Sequence, residues 1–149
     1  MVTRKNYLIL NYISISVAEA AARKSELSKL LGAVKAANLA ETLSSGGPFT
    51  VFAPRNAAFF KIPSNQLDNL ISDENALKKV LLRHVVPSKI LSSEIPEGET
   101  ELTTAGGDRI TVSLSKGGVT VSSSSGSGKV TKTDILAKNG VIHVIDSVI

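Results

Sequence analysis

The first half of the chain carries its apolar residues at helical spacing. Asp73, or Ser72 beside it, is suited to cap a helix because its short side chain can accept a hydrogen bond from the first turn. A short apolar strand at 49–53 and one helical turn at 56–61 interrupt the helices, and the turn is expected to direct Phe59 and Phe60 inward. Three amphipathic helices are predicted, with apolar faces at Leu27, Leu30, Leu31 and Val34, at Leu67, Leu70 and Ile71, and at Ala76, Leu77, Val80 and Leu81.

The second half changes to the alternation of apolar and polar residues that is typical of half-buried strands. Helices followed by strands indicate an α+β fold, with the helices on one side or end of an antiparallel sheet. No internal repeat is found. The predicted strands and turns are, in order, 110–114, the Gly117-Gly118 turn, 119–121, a polar loop at 122–128, 130–134, the Asn139-Gly140 turn and 141–145.

Composition limits the classes of protein to which the chain can belong. Its 149 residues suit one domain with a sizeable core, and 42% hydrophobic residues exclude a disordered tail. Without Cys, neither a disulfide nor thiol chemistry is available. The net charge of +4 weakly favours acidic partners such as polysaccharides. The basic residues are scattered and not interleaved with aromatics, so nucleic acid is not an expected partner.

The N-terminal residues 1–14 allow two interpretations. Arg4 and Lys5 precede an apolar stretch, and Ala18-Glu19-Ala20 resembles a cleavage site, which together outline a secretory signal or its remnant. Polar residues interrupt that stretch, which favours a lead-in strand or helix before a domain at 15–149. No stretch approaches the roughly 20 apolar residues of a membrane span.

No catalytic or metal-binding pattern in the sequence is complete. The sequence Gly126-Ser127-Gly128-Lys129 lacks the first glycine and the final hydroxyl of a phosphate-binding loop. The two histidines, His84 and His143, stand alone among apolar residues without a second ligand at helical spacing. An acidic group at 94–101 lacks the ligand order of a calcium loop. We therefore expect no enzyme, no cofactor and no metal.

Three blocks of sequence carry a resemblance to a known family. Residues 49–59, FTVFAPRNAAF, and residues 139–146, NGVIHVID, resemble the two signatures of fasciclin-like domains. Between them, residues 81–87, LLRHVVP, are similar to the central Tyr-His segment of that family, although Arg83 stands in place of the Tyr. Arg55 also departs from the usual Thr or Ser. The resemblance covers roughly residues 15–149.

The resemblance implies a fasciclin-like α+β fold, a wedge or sandwich of antiparallel strands flanked by several helices. Asn56 is expected to cap the turn that places Phe59 in the core, and Asn139-Gly140 to form a turn with positive φ. His84 should be buried, with Asn56 as a candidate partner of its ring. The expected core is Val51, Phe52, Phe59, Leu81, Ile142 and Val144. The signature residues expected to serve the fold are Thr50, Phe52, Pro54, Asn56, Phe59, Asn139, Gly140, His143 and Asp146.

The family resemblance also implies cell adhesion and matrix binding outside the cell, often through integrins. In matrix proteins of the family, an Asp-Ile motif before the second signature is associated with integrin recognition, and Asp134-Ile135 matches it here. An exposed carboxylate could complete a partner's metal coordination. The alternative is that Asp134 caps a turn and Ile135 belongs to the core. Arg83 and His84 are further candidate contact residues.

A second class of function is a small-ligand module. Some fasciclin-like domains are associated with carotenoids or other apolar molecules in a groove between helices and sheet. Aromatic residues are only 4% of this chain, which disfavours a site that stacks on a polyene. The partners implied are therefore cell-surface or matrix proteins, including integrins, with acidic polysaccharide and weak self-association as further alternatives.

Overall fold

The computed structural model describes residues 16–45, 47–124 and 126–149. The predicted lead-in at 1–14 lies outside them. Among the described residues, no helix is both long and apolar enough to cross a membrane. The helices are α1 (Val17–Ala22), α2 (Ser28–Ala36), α3 (Ala40–Ser45), α4 (Asn56–Phe59), α5 (Ser64–Ser72) and α6 (Glu74–Arg83), with 3-10 turns at Ser25–Leu27 and Ser92–Glu94.

The described strands form one sheet of seven, in the order β2-β1-β7-β6-β5-β4-β3. All neighbours are antiparallel except β1 and β7, which are parallel from Phe49↔Gly140 to Pro54↔Ile145. The α+β class is confirmed, but the sheet is mixed rather than wholly antiparallel. The long connection between β1 and β7, which includes three helices, permits the parallel pairing. The strands are β1 (Phe49–Pro54), β2 (Val85–Val86), β3 (Gly98–Thr103), β4 (Arg109–Ser115), β5 (Gly118–Ser123), β6 (Gly126–Ala137) and β7 (Gly140–Ile145).

The central strands β1 and β7 are buried on both faces. Val51 and Ala53 of β1 pack against the helices and form with them the helix-side cluster, whereas Phe52 points into a second cluster with residues of β4 and β5. Side chains alternate across a strand, so one strand serves both clusters. The six residues predicted to form the core, Val51, Phe52, Phe59, Leu81, Ile142 and Val144, are all buried.

Three local predictions need correction. Phe59 is buried as predicted, but Phe60 is 74% exposed, because adjacent residues of one helical turn cannot both face the core. Helix α5 has no buried residue although Leu67, Leu70 and Ile71 were expected to be. The expected polar loop at 122–128 is largely a hairpin, with Ser122↔Ser127 and Ser123↔Gly126 paired across it.

Gly140 is required for the close approach of two strands and not for the positive φ that the sequence predicted. Neither Asn139 nor Gly140 is among the residues with positive φ. Instead, a Cβ atom at Gly140 would lie 2.0 Å from the carbonyl oxygen of Phe49, its partner in β1. Only glycine allows the two backbones to approach this closely. The role of Gly140 is therefore to permit the parallel pairing of β1 and β7.

Candidate partner-binding surfaces

Asp134 lies on an exposed irregularity of β6. The pairing of β6 with β7 shifts register between Lys132 and Ile135, and Asp134 has a φ of 59°. Asp tolerates this left-handed conformation better than most residues. The irregularity turns the Asp134 carboxylate away from the regular ladder and towards the segment that follows β2.

Ser92 holds the Asp134 carboxylate in place. The backbone N–H of Ser92 donates to Oδ1 at 2.8 Å, and the Ser92 hydroxyl donates to Oδ2. Partial burial of Asp134 raises its pKa. The hydrogen bonds from Ser92 outweigh this effect and, together with smaller contributions from His143 and Thr133, hold the pKa below its usual value. The side chain is therefore an oriented anion at neutral pH. Each oxygen can still accept a second hydrogen bond or a cation.

His143 supports the backbone of Asp134 from beneath. Its Nδ1 accepts a 3.2 Å hydrogen bond from the Asp134 N–H, and its Nε2 lies 2.8 Å from the carbonyl oxygen of Ile90. The first bond requires Nδ1 without a proton, so Nε2 carries it and donates. The ring is buried, 5.7 Å between centroids from Phe52. His143 thus fastens the irregular part of β6 to the segment after β2.

The two residues of the Asp-Ile pair lie in different environments. Asp134 is exposed, whereas Ile135 is buried in the helix-side cluster and pairs with Ile142. The exposed apolar neighbour is Leu136, at 36%. A partner that approaches this surface would therefore meet Asp134 and Leu136 and not the side chain of Ile135.

Arg83 and His84 lie at the end of α6 and make internal contacts. Nε of Arg83 pairs with the Asp108 carboxylate at 3.0 Å, and Nη1 lies 3.4 Å from the carbonyl oxygen of Ile149. His84 is buried, with Nδ1 2.8 Å from the Val80 carbonyl oxygen and Nε2 accepting from the Ile149 N–H at 3.0 Å. Its ring partners are therefore Val80 and Ile149, not Asn56 as predicted.

The electrostatic state of His84 follows from this burial. Desolvation is the largest cause that lowers its pKa, from 6.5 to about 4, and the positive charge of Arg83 acts in the same direction against the bond to Val80. The ring is neutral at physiological pH. It is not available to an external partner without local opening.

The two groups of candidate contact residues are not brought together. Arg83 and His84 precede β2, and Asp134 belongs to β6, with β1 and β7 between the two strands. Strands β2 and β6 are therefore three strand spacings apart, which is about 14 Å. The two groups could contact one large partner only as separate points.

Other signature residues fasten distant segments to each other. Asn56 does not cap its own helix: its side chain accepts from the Lys29 N–H at 2.9 Å and donates to Ser25 and Ser28. It therefore caps the first turn of α2 from across the fold. The Asn139 amide accepts from the Val17 N–H and donates to the Leu43 carbonyl, both at 2.8 Å.

The remaining signature residues also have contacts inside the fold. Thr50 is buried, and its hydroxyl accepts a 2.8 Å hydrogen bond from the Ile90 N–H. Asp146 accepts a 2.8 Å bond from the Lys129 N–H. Pro54 ends β1, as the sequence predicted, and lines a groove described below.

A polar cleft of about 430 Å³ opens beside Arg55. Ser25, Glu26 and Asn56 line it with Arg55, and Glu26 also pairs with Lys132 at 2.9 Å. Nε of Arg55 is buried without a hydrogen-bond partner among the described residues. In the sequence, Arg55 was noted only because the family usually has Thr or Ser at this position. No neighbouring residue in the sequence indicated a cleft.

An apolar groove of about 200 Å³ runs between α2, α5 and α6. Small residues of α2, Gly32, Ala33 and Ala36, form one wall, and the half-buried side of α5 forms another. Ile71 of α5 is 48% exposed at its edge. The sequence did not predict this groove, because the apolar spacing of α5 was taken to mean full burial.

The described residues contain no cluster of three or more His, Asp or Glu side chains that could hold a metal ion. Most of the polar side chains described above are held by structural hydrogen bonds. The surfaces identified are suited to binding: an oriented anion at Asp134, a polar cleft beside Arg55 and an apolar groove.

Comparison with known proteins places these features in context. The fasciclin domain family model matches residues 25–149. A protein of Synechocystis sp., "Protein sll1483", is 42% identical over 138 residues, which cover 91% of this chain and 73% of the relative. Human periostin is 31% identical over 141 residues, which cover 95% of this chain but only 16% of periostin.

The fold has a solved counterpart. The structure of a domain pair from the insect cell adhesion molecule fasciclin I matches with a TM-score of 0.73 at 20% identity. The match covers 91% of this chain and 50% of the other, so the chain spans one half of that pair. At this identity the match establishes the shared fold. The resemblance found in the sequence and the fasciclin-like architecture are thereby confirmed.

Proposed function

The chain belongs to the fasciclin domain family, and from that premise we propose that it is an extracellular adhesion module that binds protein partners through Asp134. The family consists of non-enzymatic modules and includes a cell adhesion molecule. We place the module outside the cell, as that adhesion role requires. Cell-surface or matrix proteins of the integrin class are the proposed partners, and acidic polysaccharide is a proposed ligand of the Arg55 cleft.

The orientation of the Asp134 carboxylate carries this proposal. The Ser92 bonds and the His143 bond fix both the side chain and its backbone, so little conformational entropy is lost when a partner binds. The exposed Leu136 supplies an apolar contact nearby. An integrin-type partner would use the carboxylate as an oxygen ligand of its own divalent cation.

A cell-attachment assay tests the proposal. Surfaces coated with the protein should retain integrin-bearing cells, and attachment should be lost when divalent cations are chelated. Asp134→Asn should abolish attachment, because an amide cannot replace a carboxylate as an anionic ligand. Asn also tolerates the left-handed backbone, so the variant should remain folded.

Ser92→Ala is the matched control. It removes the hydroxyl bond to Asp134 but leaves the carboxylate in place. Attachment should persist, with an affinity reduced by a few-fold at most. If Asp134→Asn supports attachment as well as the original protein does, Asp134 is not the contact and the proposed site is rejected.

The apolar groove favours a second candidate function, the binding of an apolar small molecule. Ligand sites are commonly concave, mostly apolar and lined by few polar groups. The groove between α2, α5 and α6 has these properties, and part of α5 remains exposed beside it. Titration with an environment-sensitive apolar dye, with Leu70→Asp as the comparison, tests it. Equal dye fluorescence in both proteins would reject the groove as the site.

A further inference from the structure

The apolar groove has a cation at its rim. Lys29 lines the groove one helical turn before Gly32 and Ala33, and its ammonium lies 4.9 Å from the centre of the exposed Phe60 ring. Lys29 takes part in none of the three ion pairs found within 16–45, 47–124 and 126–149. His84 also lines the groove, but Val80 and Ile149 occupy both of its ring nitrogens.

We propose that this groove binds a single-chain amphiphile with an anionic head, such as an alkyl carboxylate. The apolar chain lies between α2, α5 and α6, and the carboxylate pairs with the Lys29 ammonium beside Phe60. This inference rests on the second proposed function, a small-ligand module, and specifies the class of ligand.

Charge complementarity selects the anionic head. Among the described residues that line the groove, none is Asp or Glu, and Lys29 is the one Lys or Arg. Lys29 already contacts an aromatic face, which favours the position of its ammonium beside the groove. A cationic amphiphile would meet like charge at the same point.

The size of the groove selects a single chain. Its volume of about 200 Å³ lies below the range of roughly 300 to 1,000 Å³ that is typical of drug-sized ligands. Phe59 is the one Phe, Tyr or Trp among the described lining residues, so a long polyene would find little surface for stacking. A flexible alkyl chain needs only apolar walls, which Leu67, Leu70 and Leu77 supply.

Gly32 offers a way to block the groove without damaging the fold. A Cβ atom at this position would meet nothing within 4 Å, and Gly32 is not among the residues with positive φ. Replacement by Ala or Leu should therefore be tolerated, and both residues favour helix more than Gly does. Because Gly32 lines the groove, Gly32→Leu adds four carbons at its wall, whereas Gly32→Ala adds only a methyl group.

The test is calorimetric titration of the full chain with three ligands of equal chain length: dodecanoate, dodecanol and dodecyltrimethylammonium. The two ionic ligands are kept below their micelle concentrations and dodecanol below its solubility limit. We expect dodecanoate to bind most tightly and the cationic amphiphile most weakly. Lys29→Gln should weaken the affinity for dodecanoate about fivefold, which is the upper range for an exposed ion pair. The affinity for dodecanol should be unchanged. Gly32→Leu should abolish binding of dodecanoate and dodecanol, and Gly32→Ala should retain it.

Each other result overturns a defined part of the inference. If all three ligands bind equally and Gly32→Leu abolishes their binding, the small-ligand module stands and the anionic preference is wrong. If none binds, or if Gly32→Leu binds as the original protein does, both the groove site and the ligand class are wrong. Unfolding midpoints of the Gly32 variants at or above that of the original protein show that lost binding is not lost folding.

Discussion

The backbone N–H of Ile149 donates a 3.0 Å hydrogen bond to Nε2 of His84, and both residues are buried. The other ring nitrogen of His84 bonds the Val80 carbonyl oxygen in the preceding helical turn. The neutral ring thus joins the end of α6 to the segment after β7. A proton on Nε2 would place two N–H donors, those of His84 and Ile149, face to face. The folded protein therefore resists protonation of His84.

This relationship predicts a loss of stability in mild acid. The pKa of His84 is about 4 in the folded protein and near 6.5 when unfolded, so only the unfolded chain gains a proton between these values. The free energy of unfolding should be unaffected by His84 above about pH 7. It should fall by about 3 kcal/mol as the pH decreases to about 4. Urea unfolding measured across this range checks the expectation.

His84→Gln is the control for that titration. Glutamine can donate and accept hydrogen bonds but does not titrate. The variant should show a much flatter pH dependence between about pH 6.5 and 5, whatever its stability at neutral pH. Parallel curves for the two proteins would mean that His84 does not cause the acid sensitivity.

Adjacent phenylalanines should respond oppositely to truncation. Phe59 is buried against the helix-side cluster, so Phe59→Ala should cost about 3 to 5 kcal/mol of unfolding free energy. Phe60 is exposed, so Phe60→Ala should change stability by about 0.5 kcal/mol or less. Denaturant midpoints of the two variants measure the difference. Equal midpoints would contradict the orientation of α4.

Gly140 should be intolerant of even the smallest side chain. Gly140→Ala places Cβ 2.0 Å from the Phe49 carbonyl oxygen, so β1 and β7 must separate. We expect a loss of about 3 kcal/mol or more, beyond the usual range for a point substitution. Gly117→Ala is the matched control, because its Cβ would meet only the Ser115 hydroxyl at 3.8 Å. A fully stable Gly140→Ala protein would refute the close approach.

The sequence predicted the central strands well because their burial is encoded locally. Both signature blocks are short apolar runs bounded by Pro54 and by Asn139-Gly140, and their core residues are buried. Which strands pair is not encoded locally. The parallel register of β1 with β7 joins residues about ninety positions apart, and alternation within each strand is the same for parallel and antiparallel partners.

The same limit explains the errors at the candidate site. Asn56 was assigned to the nearest helix start, but its hydrogen bonds go to α2, which lies far away in sequence. The groove beside α5 was missed because apolar spacing marks a face without saying whether anything covers it. Asp134 was a candidate contact residue from the sequence alone, but its bond to Ser92 depends on a long-range contact that the sequence does not show.

Asp134 should contribute to the stability of the fold through its bonds to Ser92. Asp134→Ala removes the Ser92 bonds and puts Ala at a φ of 59°, so it should cost about 2 kcal/mol. Asp134→Gly loses the same bonds without the backbone strain and should cost about 1 kcal/mol. Thermal unfolding of both variants measures the difference. Acid should act in the same direction, since a carboxylate with a lowered folded pKa loses its contribution as pH falls below about 4.

Combining Asp134→Gly with Ser92→Ala measures how much the hydrogen bond between these two side chains contributes to stability. If the Ser92 hydroxyl acts through Asp134, adding Ser92→Ala to Asp134→Gly should cost less than it does in the original protein. The coupling should be several tenths of a kcal/mol, the size expected of an exposed charged hydrogen bond. Full additivity would show that the carboxylate and the hydroxyl do not stabilise each other. Asp134 would then be oriented only by the Ser92 backbone N–H and by its own backbone bond to His143, and the Ser92 hydroxyl would add nothing to the orientation on which the adhesion proposal depends.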